Sequence, residues 1–251
     1  MNIIKKIIYQ YYIPFIGRVY NRNRFINVIY YHDVVRELGH SYQQTNIEVF
    51  KKQMQYLVSH GYKTFRFDEL NSKTMKYDTK SIIITFDDGW KSNYTEIYEL
   101  MKSYGIKYNI FLTMGEVGVN PDYLTWEQIH QMHAEGMVGF GVHTYTHPDM
   151  SDISKIDTKL EFDKSDFIFE KQLGYRPLDF CYPYGKYSEE SNTYILKHTS
   201  YCRIYTSRMM YSYKENDKMI FGRNGISNED IFNVFKAKLK GYFNIWRTLI
   251  G

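Results

Sequence analysis

The chain has only two cysteines, Cys181 and Cys202, in 251 residues. Two thiols make no disulfide framework, and no C-x-x-C pair is present to build a zinc knuckle. A reducing compartment is compatible with that count. No apolar run reaches the roughly 20 residues needed to span a bilayer. No glycine-rich turn follows a strand-like run, so a dinucleotide fold would lack its phosphate cradle. Acids are missing from both ends: residues 1–24 carry five Lys and Arg and no acid, and residues 231–251 carry four and no acid. Nine of the 32 basic residues therefore lie in the ends, leaving 23 between them against all 28 acids. A nucleic-acid binder would spread its basic charge over the domain, so nucleic acid is not an expected partner.

What remains is enough for one large α/β domain, with 43% hydrophobic residues to fill a core. Strand-like and helix-like runs alternate. FINVIYY, KTFRF, SIIITF, KYNIFLT, MVGFGV and LDFCY read as strands, with others near 200–206 and 219–226. Between them, Thr45 and Glu48 form a capping-box pattern ahead of a helix that closes at Gly61. A helix is expected over 92–104, and Thr125 and Gln128 open another. Long helical patterns follow near 156–173 and 188–198. Seven or eight strands alternating with helices predict a parallel sheet closed into a distorted (β/α) barrel.

The ends differ from this centre. Ile3, Ile4, Ile7, Ile8, Tyr11 and Tyr12 recur at helical spacing, as do Phe232, Phe235, Leu239, Phe243 and Trp246. Two fates are open to such basic, aromatic helices: packing on the domain, or lying on an anionic membrane. The division expected is an arm over 1–24, a catalytic domain over 25–230 and a terminal helix over 231–251. Lys5, Lys6 and Gln10 break the first apolar run, and no small-residue cleavage site follows, so no secretory signal is read. The expected location is cytoplasmic, peripheral on the inner face of the membrane.

The chemistry clusters at strand ends. His32 follows FINVIYY, Asp87-Asp88 follow SIIITF, His143 follows MVGFGV, and Pro183-Tyr184-Gly185 follow LDFCY. In a parallel barrel those ends meet on one face, where active sites sit. Two adjacent carboxylates at the end of an apolar strand repel unless something positive compensates. HTYTH sets His143 and His147 four residues apart, which on a helical turn would let both grip one ion. With one aspartate they make a His₂-Asp set for a divalent cation: zinc first, with cobalt, nickel or iron admissible. The other aspartate is then free to act as a base. Gly89 permits the sharp turn. Trp90 offers an aromatic face to a sugar. His130 and His133, three apart on a polar helix face, read as solvated.

TFDDG (85–89), HTYTH (143–147) and YPYG (182–185) resemble the three leading motifs of the polysaccharide deacetylases, the NodB-homology or carbohydrate esterase 4 group. YYHDV (30–34) is similar to the branch containing poly-β-1,6-N-acetylglucosamine deacetylases, and the likeness covers roughly residues 25–226. The resemblance implies that Asp87 is the general base and that Asp88, His143 and His147 hold the metal. It implies an oxyanion held by the backbone N–H of Tyr184, beside Pro183, and an amine protonated by His32. The expected partner is an N-acetylated glycan or glycan precursor. Rival readings are O-acetyl ester cleavage on the same site, or an inactive glycan-binding protein. One departure stands out: Cys181 occupies the place where the wider family often has an arginine that steers the base, as the narrower branch also lacks it. Arg223 in FGRNG resembles a later family arginine.

Overall fold

A computed structural model describes residues 6–246 apart from 40 and 42. Ile3, Ile4 and Lys5 of the expected N-terminal helix, and 247–251 of the C-terminal one, lie outside the described residues. The strands around the central barrel are β1 Asn27–Tyr31, β2 Ser81–Phe86, β3 Tyr108–Leu112, β4 Val138–Val142, β5 Asp179–Cys181, β6 Arg203–Thr206, β7 Lys218–Gly222 and β8 Asn224–Gly225. From β1 to β7 each pairs in parallel with the next. β7 and β8 are one run interrupted at Arg223. Met219–Gly222 pair with β6, and then Asn224 and Gly225 turn to pair with Ile29 and Tyr30 of β1. The barrel closes at Arg223.

Strand alternation sorts the apolar residues into two cores. Ile82, Ile84 and Phe86 of β2 pack outward with the helices, and all six β2 residues are buried. Val28, Ile83, Phe111, Cys181, Tyr205 and Phe221 come from six different strands and fill the interior. Their rings are in contact: Phe111–Tyr205 centroids lie 5.0 Å apart and Tyr205–Phe221 4.9 Å. β4 makes room with glycine, since a Cβ on Gly141 would sit 2.7 Å from the Phe111 ring.

Three local expectations change. KTFRF is a strand only at Lys63–Thr64, paired at the edge of β2, and Phe67–Glu69 form a 3₁₀ turn. The helix expected to start at Thr45 runs Ile47–Ser59 and is capped by Asn46, whose side chain accepts from the Glu48 N–H. Thr45 is instead buried in a short strand, Gln44–Asn46, paired with Asp33–Val35. The helix expected over 92–104 is two pieces, Ser92–Thr95 and Tyr98–Ser103. The Thr125–Gln128 capping box forms as read.

The two ends pack against each other. Ile13 joins Val234, Ala237 and Phe243 in a small core of their own. The helix Phe232–Leu239 is fastened to the barrel floor by Asn27, which donates to the Lys238 carbonyl at 2.6 Å. Lys238 is itself buried, and its Nζ donates to Asp230 at 2.6 Å. Among the described residues no helix is long and apolar enough to cross a membrane.

Candidate active site

Alternation also delivers the polar residues. Ile83 and Thr85 point inward along β2, and Asp87, two further on, does the same at the barrel's C-terminal mouth. Val28, Tyr30 and His32 repeat this from β1, and Gly139, Gly141 and His143 from β4. Asp87 receives both arms of Arg223: Nη1 and Nη2 donate to Oδ1 and Oδ2 at 2.7 Å each. Burial pushes the Asp87 carboxyl up, and the Arg223 guanidinium overrides it, holding the group below the usual carboxylate range. His32 Nε2 lies 3.9 Å from Asp87 Oδ2. Burial lowers the His32 pKa against the pull of Asp87 and Asp88, so the imidazole rests neutral.

Asp88 faces the other way. Its φ of 74° lies in the left-handed region and turns the carboxylate away from Arg223 toward the histidines. His143 Nε2 and His147 Nε2 lie 3.4 and 3.3 Å from the same oxygen, Asp88 Oδ1. That oxygen is buried and has no hydrogen-bond partner among the described residues. Three donors about 2.0–2.1 Å from a tetrahedral centre stand about 3.3–3.4 Å apart, so the set fits a divalent cation of zinc's size. The histidines do not meet on a helical turn as expected. HTYTH is a loop in which Thr144 and His147 have φ of 66° and 59°. Five non-glycine residues among those described have positive φ, and four of them, Asp88, Thr144, His147 and Tyr184, belong to this rim. A second grouping of Asp87, His143 and Cys181 also falls within ligand spacing. It is already occupied: Asp87 by Arg223, and His143 Nδ1 by the Cys181 carbonyl at 2.8 Å.

That Cys181 bond orients His143 and leaves its Nε2 toward Asp88. The Trp90 indole N–H donates to Asp88 Oδ2 at 2.9 Å, and its ring stacks on Tyr123 at 4.6 Å. Trp90 therefore orients a carboxylate. Arg223 is fully buried and touches more than Asp87. Nη1 donates to Thr85 at 3.0 Å, Nη2 meets Cys181 Sγ at 2.9 Å, and the guanidinium stacks over Tyr30 at 4.4 Å. An arginine reaches Asp87 here from the closing strand, in a barrel where the Cys181 position supplies none. Tyr184 stands exposed at the rim with its ring 4.7 Å from His147, after buried Pro183. Its backbone N–H meets no acceptor among the described residues. His130 and His133 are exposed on their helix as read.

Several supports have no local sequence signal. Glu161, from the helix Lys155–Leu173, accepts from the N–H groups of Tyr145 and Thr146 at 2.8 Å each and ties down the HTYTH loop. Asn93 donates to the His32 carbonyl at 3.1 Å, and Ser92 to Asp33 at 2.7 Å. Such partners lie 15 to 61 positions away, where spacing carries no information.

A family model described as polysaccharide deacetylase matches residues 74–201, half of the chain. A poly-β-1,6-N-acetyl-D-glucosamine N-deacetylase of Staphylococcus aureus (strain MRSA252) is 27% identical over 198 residues, covering 72% of this chain and 66% of that protein. YxkH of Bacillus subtilis (strain 168) is 29% identical over 167 residues, covering 65% of this chain and 58% of that protein. The chain thus spans less than two thirds of the length of these relatives. Among solved structures, the deacetylase PplD of Streptococcus pyogenes superposes with a TM-score of 0.74 at 22% identity, over 85% of this chain and 98% of that one. IcaB of Ammonifex degensii gives 0.71 at 21%, over 88% and 98%. At those identities the structures establish a common fold, and the family match establishes descent: the chain belongs to the polysaccharide deacetylase family.

Proposed function

We propose that this protein is a metal-dependent hydrolase that removes the N-acetyl group from an amino sugar of a bacterial surface polysaccharide or its precursor. The observation that carries the reading is the division of labour between two adjacent carboxylates. Asp87 is clamped by Arg223, while Asp88 presents an unpartnered oxygen to two imidazoles. Asp88, His143 and His147 would hold the cation, with Zn²⁺ the first candidate for this ligand set. When bound, such an ion supplies Lewis acidity to the acetyl carbonyl and to water.

The chain's own groups do the rest. Asp87, kept ionised by Arg223, accepts a proton from the attacking water as its oxygen bonds to the acetyl carbon. The Tyr184 N–H donates to the oxygen that becomes negative. As the C–N bond breaks, the departing nitrogen needs one proton. His32 rests neutral, so it must first receive the proton it gives. Asp87 Oδ2 lies 3.9 Å from His32 Nε2, which makes a short path from water to base to imidazole to amine. One proton moves, and acetic acid and the free amine leave.

Acetate release from an N-acetylglucosamine oligomer tests this, run with Zn²⁺, with chelator and with Asp87→Asn. Release should require metal and fall by about a thousandfold in the variant. Acetate from an O-acetylated xylan alone would replace the N-deacetylase reading with an esterase. No acetate from glycan or precursor, with metal bound, would leave a binding protein.

A further inference from the structure

The N-terminal helix has a face that the fold does not use. Residues 6–19 are helical, through a π-helical turn Ile8–Tyr12 and an α-helix Ile13–Val19. One side packs on the C-terminal segment. Ile13 and Gly17 are buried, and a Cβ on Gly17 would fall 1.8 Å from the Tyr242 carbonyl oxygen. Tyr9 on that side meets the Phe243 ring at 5.0 Å. The opposite side is apolar too. Ile7, Tyr11, Tyr12, Phe15 and Val19 are 55, 62, 57, 65 and 58% exposed. Their spacing of three and four residues makes one continuous stripe. The C-terminal helix contrasts with this, because its Val234, Phe235, Ala237 and Leu239 are buried.

The charge that this segment itself carries has one sign, while the carboxylates of Glu229 and Asp230 stand on its inner side, lining a cavity with Lys6, Tyr9 and Gln10. Lys6, Arg18, Arg22 and Arg24 are exposed, and the first acidic residue of the chain is Asp33. None of the four makes a salt bridge among the described residues. Tyrosine and phenylalanine on an apolar stripe, flanked by exposed arginines and with no acid in its own sequence, match the chemistry of an anionic bilayer surface: rings at the headgroup boundary and cations on the phosphates.

We propose that the outer face of this helix docks on an anionic lipid bilayer. The docked helix would lie beside the catalytic rim. Its inner Tyr9 lines, with Tyr30, His32, Gln43 and Ser207, a cavity of about 190 Å³ at the rim residue His32. A helix is about 10–12 Å across, so docking holds that mouth roughly one helix diameter from the lipid. A membrane-proximal glycan would then reach the site; this last step alone rests on the deacetylase reading, and the docking does not.

The test is co-flotation of the full chain with vesicles of phosphatidylcholine containing phosphatidylglycerol, against phosphatidylcholine alone. Wild type should float only with the anionic vesicles, with affinity falling at least tenfold between 50 and 500 mM salt. Tyr11→Asp with Phe15→Asp should weaken binding at least tenfold, as should Arg22→Glu with Arg24→Glu. The first variant should leave acetate release from a soluble oligomer unchanged, which separates docking from the reaction. No flotation of wild type, or equal flotation of both variants, overturns the proposal. A wild-type dimer in sedimentation equilibrium that Tyr11→Asp with Phe15→Asp dissolves assigns the face to a second copy and overturns it as well.

Discussion

Two aspartate–arginine pairs are buried in this one barrel, at opposite ends. At the N-terminal end Arg203 donates through Nε and Nη2 to Asp179 Oδ1 and Oδ2, both at 2.6 Å. At the C-terminal end Arg223 embraces Asp87 at 2.7 Å on each oxygen. Phe67, Phe111, Tyr205 and Phe221 fill the space between. Pair geometry is nearly the same, so it cannot be what distinguishes the ends. Surroundings do. Asp179 adds only the Tyr205 hydroxyl, at 3.2 Å. A cavity of about 260 Å³ opens beside it, and the arginines that line it, Arg66, Arg176 and Arg203, are each paired with a carboxylate. Asp87 instead borders His32 and an aspartate with an unpartnered oxygen. An ion pair becomes machinery when its neighbours are left unsatisfied.

Breaking each pair from the arginine side puts this to the test. Arg223→Met and Arg203→Met each leave a buried carboxylate unpaired, at a cost of about 3–5 kcal/mol. Urea unfolding should show both losses. Activity should separate them. Without its guanidinium Asp87 takes up a proton, and acetate release per folded Arg223→Met molecule should fall by about a hundredfold at neutral pH. Folded Arg203→Met should stay within about threefold of wild type. Equal activity losses would erase the distinction between the two ends.

The strand ends made part of this visible beforehand, since His32, Asp87 and His143 each follow an apolar run read as a strand. In the structure Val28-Tyr30-His32, Ile83-Thr85-Asp87 and Gly139-Gly141-His143 are inward alternations, and each ends on a site residue. Apolar strands with capped helices between them likewise pointed to the barrel, but not to every neighbour in it: KTFRF stands aside, and FINVIYY pairs directly with SIIITF. Pairing across the closing seam was not legible. Arg223 reaches Asp87 over 136 positions because the 218–225 run leaves one neighbour for another at that residue. Nor was the HTYTH loop, since a four-residue spacing reads the same for a helical turn and for two left-handed residues. Glu161 settles which, and it comes from another element. The Trp90 N–H contact was not legible for a similar reason: a side chain beside a carboxylate can show a sugar its face or give the carboxylate its N–H.

That N–H allows the site end of the comparison to be sharpened without touching any proposed ligand. Trp90→Phe keeps a ring to stack on Tyr123 and removes the donor to Asp88 Oδ2. The carboxylate then loses one of the contacts that aim it. Metal affinity, measured by competition with a chromogenic chelator, should drop about 10- to 100-fold, while unfolding of the metal-free protein changes little. Unchanged affinity would mean that the His143 and His147 contacts orient Asp88 unaided.

A half-buried carboxylate shows what happens when no arginine is supplied. Asp166 accepts from the Tyr201 hydroxyl at 2.5 Å and makes no salt bridge among the described residues. Burial pushes it up to about 6, the reverse of Asp87. The sign follows from linkage. A carboxyl that holds its proton more tightly folded than unfolded favours the fold most below its unfolded pKa of about 3.9, and that advantage is lost as pH rises toward 6. Asp166→Asn keeps an acceptor for Tyr201 and cannot ionise. Near pH 4 the variant should match wild type in urea unfolding, and by pH 7 it should be more stable by about 2 kcal/mol, a figure reduced for the partial exposure of the group. Both proteins carry the same histidines and active-site carboxylates, so their titration cancels in the difference. A variant no more stable at pH 7 than at pH 4, relative to wild type, would show that Tyr201 alone keeps Asp166 ionised and that an arginine is not what separates Asp87 from it.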